Sequence, residues 1–145
     1  MTAVTVAIQD DICTPREEVF TWFYHSENFA HAPLVFRSTW ATDTQHEAGS
    51  ERDILMVAGW YHEEITAVDP GHTIHYRVTK SFPSVRQDFT EVLFESICED
   101  ITRVTWTIEV DVPTPWKQTA LSQAAGTMAR LLYRSILRQG KKELE

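Results

Sequence analysis

The order of apolar patterns along this chain is its strongest constraint. One strand-like run, Val4 to Ile12, leads into a short helix-like segment, Thr14 to Tyr24. Strand pattern then continues from Leu34 to Asp111, and one long amphipathic segment, Trp116 to about Lys142, closes the chain. A lone helix of that length must lay its apolar stripe on the one sheet available, and a sheet of about seven strands must curl to cover it. The pattern therefore predicts an α+β domain with a hollow between sheet and helix. It leaves the contents of the hollow open.

Local signals place the elements. Val4, Val6 and Ile8 alternate with Thr5, Ala7 and Gln9, the period of a half-buried strand. Thr14-Pro15-Arg16-Glu17 reads as a capped helix start with a capping box, and Ser26 as the cap of a second short helix ending before Pro33. Strands are expected over Leu34–Ala41, Glu51–Ala58, Trp60–Val68, Thr73–Thr79 and Val85–Ile97. Gly59 should form one bend and Asp69-Pro70-Gly71 another turn. The apolar parity of the long strand slips near Val92 to Phe94, which predicts a bulge there. Val104, Trp106, Ile108 and Val110 alternate with polar residues in the last strand. Thr114 and Pro115 repeat the cap-plus-proline device, and Leu121, Ala125, Met128, Leu132 and Ile136 form one stripe on the closing helix. The small run Ala124-Ala125-Gly126 either admits a strand closely or leaves room for a ligand.

Composition narrows the partners. The chain has 145 residues, enough for one domain with a sizeable core, and 43% of them are hydrophobic. No run of apolar residues is long enough to span a membrane, and Met1-Thr2-Ala3-Val4 has no signal-peptide character. Cys13 and Cys98 are expected to be free thiols in a cytoplasmic protein. The net charge of −8 is uneven: 7 Lys/Arg stand against 19 Asp/Glu up to residue 116, and 6 against 2 beyond it. An acidic body repels a phosphate backbone, so nucleic acid is excluded as a partner. The terminal Leu144-Glu145 is of the kind that precedes a purification tag.

Several stretches resemble one family. Thr14-Pro15-Arg16-Glu17-Glu18-Val19-Phe20, Ser26-Glu27-Asn28-Phe29 before Pro33, Gly49 with Arg52, the run from Gly59 through Asp69-Pro70, and Thr102-Arg103-Val104-Thr105-Trp106 are similar to the SRPBCC superfamily. This is the helix-grip fold of START-type lipid-transfer domains, the major birch pollen allergen and polyketide cyclases. The resemblance implies one domain over residues 1–145, with two short helices between the first two strands and a curved antiparallel sheet gripping the last helix. In that topology the first strand pairs with the last, so Cys13 and Cys98 lie two strand spacings apart, too far for a disulfide. One departure stands out: many polyketide cyclase-like members carry Trp where this chain has Ala32. That implies a wider mouth, or compensation by Phe29 and Phe36.

The resemblance implies a small hydrophobic ligand of lipid, polyketide, sterol-like or aromatic type. Phe23, Trp40, Met56, Trp60, Tyr76, Phe89, Trp106, Met128 and Leu132 are the expected wall, because small-molecule sites are mostly apolar and aromatic. Plain core packing is the alternative for each. Arg52, His62, Glu64 and Tyr76 are the candidates for polar or acid–base roles in a cyclase or dehydratase. The parity of Ile65 favours His62 and Glu64 pointing outward. His62-Glu63-Glu64 lacks the second histidine of a zinc-protease helix, and His25, His31 and His46 lie in or near loops, so no metal is expected. No glycine-rich phosphate loop or nucleophile elbow occurs, so no cofactor is expected. A protein-interaction module is the third reading, with Tyr133 and Leu137 on the outer side of the helix as its hint. The same pair could form a homodimer contact.

Overall fold

β-Branched and aromatic residues at every second position make strands that can bury only one face, and here all such faces turn toward one helix. The computed structural model describes residues 4–112 and 118–145. Strand β1 (Val4–Ile12) is followed by helix α1 (Arg16–Tyr24) and a 3₁₀ turn (Ser26–His31). Six strands then meander: β2 (Val35–Trp40), β3 (Glu51–Met56), β4 (Gly59–Asp69), β5 (Thr73–Phe82), β6 (Arg86–Cys98) and β7 (Ile101–Asp111). Helix α2 (Gln118–Leu144) closes the fold. The sheet order is β1-β7-β6-β5-β4-β3-β2, every pair antiparallel. This is the helix-grip architecture, with α2 lying on β1 and β7 and with α1 and the 3₁₀ turn against its far end.

The core is aromatic at that far end. Phe23 meets Phe94, Trp106 and Phe29 at ring distances of 5.6, 5.8 and 6.2 Å. The contacts with Trp106 and Phe29 are edge-to-face, a geometry that adds to the stabilisation from area burial. Two glycines let α2 approach. A side chain at Gly126 would press on Val4 and Val6, and one at Gly140 on the ring of Trp22. Gly126 thus serves close approach to β1, whereas Ala124 and Ala125 border open space. Gly59 is required by its φ of +130°, and a Cβ there would collide with the carbonyl oxygen of Phe82. The β3–β4 hairpin is thereby pressed onto the end of β5.

Four local expectations are corrected. Thr14 does not cap α1. Pro15 occupies the N-cap, and the Thr14 hydroxyl instead donates to the carbonyl of Leu144 at 2.7 Å, tying the β1–α1 turn to the last residue of α2. Ser26 lies inside the 3₁₀ turn and caps nothing. The bulge in β6 falls between Arg86 and Phe89, not at Val92 to Phe94, so both Gln87 and Thr90 turn inward although they are three apart. Finally, Tyr133 and Leu137 are core residues of α2, while Leu121 and Met128 are exposed at 43% and 40%. The buried face of α2 runs through Ser122, Gly126, Leu132, Tyr133, Ile136, Leu137 and Gly140, turned from the expected stripe. The expected cap at Thr114-Pro115 and the helix start at Trp116 lie outside the described residues. Cys13 and Cys98 are both exposed and unpaired.

Candidate functional site

Inward residues at one end of the sheet fail to meet the helix. The small Ala124, Ala125 and Ala129 face them across a cavity of about 320 Å³. Its walls are mainly apolar, with Met56 on β3, Val110 on β7, and Leu121, Met128 and Leu132 on α2. The rim is formed by Ala58, Pro83 and Ser84, where the β3–β4 hairpin meets the β5–β6 connection. Two polar side chains line the interior, Gln87 and Tyr133, joined by the half-buried Tyr61. The volume lies at the lower end of the range for small-molecule sites.

A buried polar seam runs inward from that lining. The Gln87 amide donates to the Tyr133 hydroxyl at 3.0 Å and to the Thr90 hydroxyl at 2.8 Å. The Tyr133 ring stacks on Trp106 at 4.3 Å, and the Trp106 indole N–H donates to the Tyr76 hydroxyl at 3.1 Å. Above the Tyr76 ring, 4.5 Å from its centre, lies the guanidinium of Arg52, flanked also by Phe29 and Trp40. Arg52 Nε donates to Glu63 Oε1 at 2.8 Å, and both side chains are almost wholly buried, at 3% and 2% exposure. Arg52 Nη2 is buried without a partner.

Burial sets the protonation states along the seam. It pushes the Tyr76 and Tyr133 hydroxyls upward, with the nearby Glu63 charge adding in the same direction. Both tyrosines are therefore neutral hydrogen-bonding groups and not bases at neutral pH. Burial also raises the Glu63 carboxyl, against the pull of Arg52.

The residues singled out in the sequence divide by face. Met56, Leu132 and Met128 line the cavity, Met128 at its mouth. Tyr76, Trp106 and Phe23 are buried behind it, and Trp40 is half-buried beside Arg52, its indole N–H donating to Glu27 at 2.8 Å. Trp60 and Phe89 need correction as cavity wall: both stand on the outer face. The Trp60 indole donates to Asp53, and Phe89 is 38% exposed beside His75. For Phe89 the cause is the β6 bulge, which reverses parity. Of the acid–base candidates, Arg52 and Tyr76 point inward. Glu64 pairs with Arg77 on the outer face, and His62 is held there between Asp53 and Glu51. Ala32 is buried, and neither it nor the exposed Phe36 lines the cavity.

Three residues of the site are not among the expected wall or acid–base candidates. Glu63 was accessible, because the parity that buries Ile65 also buries position 63. Gln87 was hidden by the bulge, and Tyr133 by the rotation of α2.

The His62 clamp has a testable pH dependence. Its ring nitrogens lie 2.8 Å from Asp53 and 2.7 Å from Glu51, so the imidazolium can donate to both. Partial burial opposes the charge, but the two hydrogen-bonded carboxylates outweigh it and raise the pKa above 6.5. A raised folded-state pKa gives stability that is complete below the unfolded value and lost as pH rises through the folded one. The His62→Gln variant should lose about 0.5–1 kcal/mol at about pH 5.5 and much less at about pH 9, the range for partly exposed pairs. Urea denaturation at the two pH values measures the difference.

A family profile described as polyketide cyclase / dehydrase and lipid transport matches residues 1–145. The chain belongs to this family. Solved structures agree in fold over nearly the whole length. A protein from Thermus thermophilus is similar at a TM-score of 0.82 with 16% identity, covering 97% of each chain. Ginseng major latex-like protein 151 from Panax ginseng gives 0.78 with 15% identity, covering 99% of each. The Zhui aromatase/cyclase from Streptomyces sp. R1128 gives 0.79 with 13% identity, covering 98% of this chain and 93% of that one. No curated protein matches the sequence. Among the described residues no helix is long and apolar enough to cross a membrane.

Proposed function

We propose that this family member binds a small, mostly apolar molecule bearing one hydroxyl or carbonyl group in the cavity beneath α2. The observation that carries the reading is the contrast within the cavity. Its wall is apolar over most of its extent, and its polar groups converge at Gln87 and Tyr133. Burial of about 200 Å² of apolar ligand surface would supply about 5 kcal/mol before ordering costs, which corresponds to affinities weaker than micromolar unless the polar end adds to it.

Substituting Ala125→Trp tests the site directly, because position 125 borders the cavity and is only partly buried. Native mass spectrometry and thermal shift against a panel of apolar metabolites should show ligands that the wild type retains and the variant loses, with affinity reduced at least ~10-fold. Equal binding by the two proteins would move the ligand elsewhere.

A cyclase or dehydratase is the second reading, favoured by the inward placement of Arg52 and Tyr76. In this reading the neutral Tyr133 hydroxyl polarises a substrate carbonyl by hydrogen bonding, with Tyr76, Trp106 and Gln87 holding it in place. Turnover of a poly-β-ketone mimic that falls in Tyr133→Phe, with binding retained, would favour it over simple carriage.

A further inference from the structure

Away from the cavity, three side chains from two separate segments converge. His25 follows α1, Glu27 lies in the 3₁₀ turn, and His46 comes from the loop between β2 and β3. One donor atom from each lies within 4.8 Å of the others. His25 Nδ1 is 3.0 Å from His46 Nε2, and His46 Nε2 is 3.2 Å from Glu27 Oε1. Tetrahedral bonds of about 2.0–2.1 Å to zinc hold their donors about 3.3–3.4 Å apart. Two of the three edges thus stand within a few tenths of an ångström of that spacing.

We propose that His25, Glu27 and His46 form a binding site for a divalent transition ion of the zinc type. The donor chemistry selects the class: two imidazoles and one carboxylate suit zinc, cobalt or nickel, and fit magnesium or calcium poorly. Three protein donors leave a fourth position for water. An ion takes the lone pairs of His25 Nδ1 and His46 Nε2, so as neutral ligands the two rings carry their hydrogens on the opposite nitrogens, Nε2 of His25 and Nδ1 of His46.

The surroundings hold the donors in place. The Trp40 indole N–H donates to Glu27 Oε1 at 2.8 Å, orienting the carboxylate as outer-shell partners of metal ligands do. The His46 ring is gripped between Trp40, Tyr24 and His25, at ring distances of 4.8, 5.2 and 4.5 Å. His46 itself has a φ of +78°, the only non-glycine residue with positive φ among the described residues. The imidazole is thus delivered to the cluster from a left-handed backbone position, which histidine tolerates better than most side chains do. Bound metal would staple the β2–β3 loop to the end of α1.

The experiment is a titration with cobalt(II) chloride, using a chain that carries no polyhistidine tag. A single saturating site is expected, with the visible absorption of low-coordinate cobalt that zinc displaces in a 1:1 ratio. Zinc should raise the Tm by about 5 °C at saturating excess, since the three donors converge only in the folded chain. In His46→Asn, which tolerates the positive φ, and in Glu27→Gln, which keeps an acceptor for Trp40, affinity should fall at least ~10-fold. In His75→Ala, a histidine on the outer face of β5, it should not change. Cobalt binding that is equally strong in His46→Asn, or no saturation up to about 1 mM, overturns the proposal.

Discussion

Replacing Glu63 with Leu should destabilise the protein by about 3–5 kcal/mol, because it leaves the Arg52 guanidinium buried without its counter-charge. Arg52 and Glu63 face each other in the β3–β4 register, deep in the sheet, and Nη2 of Arg52 already lacks a partner. The loss should appear as a fall in Tm of about 10–15 °C for a chain of this size. The pair itself adds little. Burial raises the Glu63 carboxyl despite the attraction of Arg52, so desolvation exceeds the Coulombic gain. The double variant Arg52→Met/Glu63→Leu should therefore recover most of the lost stability. It should not greatly exceed wild type, because it also gives up the stacking of the guanidinium on Tyr76, Phe29 and Trp40. The sign with pH follows from the raised carboxyl. In the folded state Glu63 keeps its proton to higher pH than in the unfolded chain, so stability falls as pH rises above about 4.5 through the raised value. The double variant lacks this group and should gain on wild type across that window. A double-mutant cycle by urea denaturation measures both effects, and a Glu63→Leu variant as stable as wild type would refute them.

The architecture was legible because each strand announces its buried face by alternation, as Val104, Trp106, Ile108 and Val110 do, and because one closing helix leaves one way to cover the sheet. What the sequence concealed were quantities that break periodicity. A two-residue irregularity in β6 moved Phe89 outward and brought Gln87 in, and no count along the chain could distinguish that from a bulge five residues later. Helical spacing likewise does not reveal the rotation of α2 that exposes Leu121 and buries Tyr133. A leucine carries the stronger hydrophobic signal, but a tyrosine whose hydroxyl finds a partner, as that of Tyr133 does in Gln87, packs inside as well. Gly126 and Gly140, set against Val6 and Trp22, fix that rotation, and they carry no hydrophobic signal of their own. Glu63 is a different case. Its inward direction followed from Ile65, but a buried carboxylate is improbable until the arginine across the strand pair is known.

Trp106→Ala should be the most damaging apolar truncation and should open the site inward. Trp106 is about 1% exposed and links the plugged end to the cavity wall: it meets Phe23 and Phe29 at that end, Tyr133 face to face, and the Tyr76 hydroxyl through its indole N–H. Large aromatic-to-alanine changes in a core cost about 3–5 kcal/mol, and this one also removes a hydrogen-bond donor from a buried hydroxyl. Tyr133 would lose the surface on which it is stacked, so its hydroxyl would no longer be held toward Gln87. Two measurements separate packing from polar loss. Trp106→Phe keeps most of the filling but not the donor, and should cost about 1–2 kcal/mol in urea denaturation. Free indole restores both shape and donor: it should raise the Tm of Trp106→Ala by more than it raises that of wild type, since an apolar hole of this kind binds a matching ring. An indole response equal in the two proteins would mean that the vacated space had collapsed, and that Tyr133 is positioned by α2 and not by the ring beneath it.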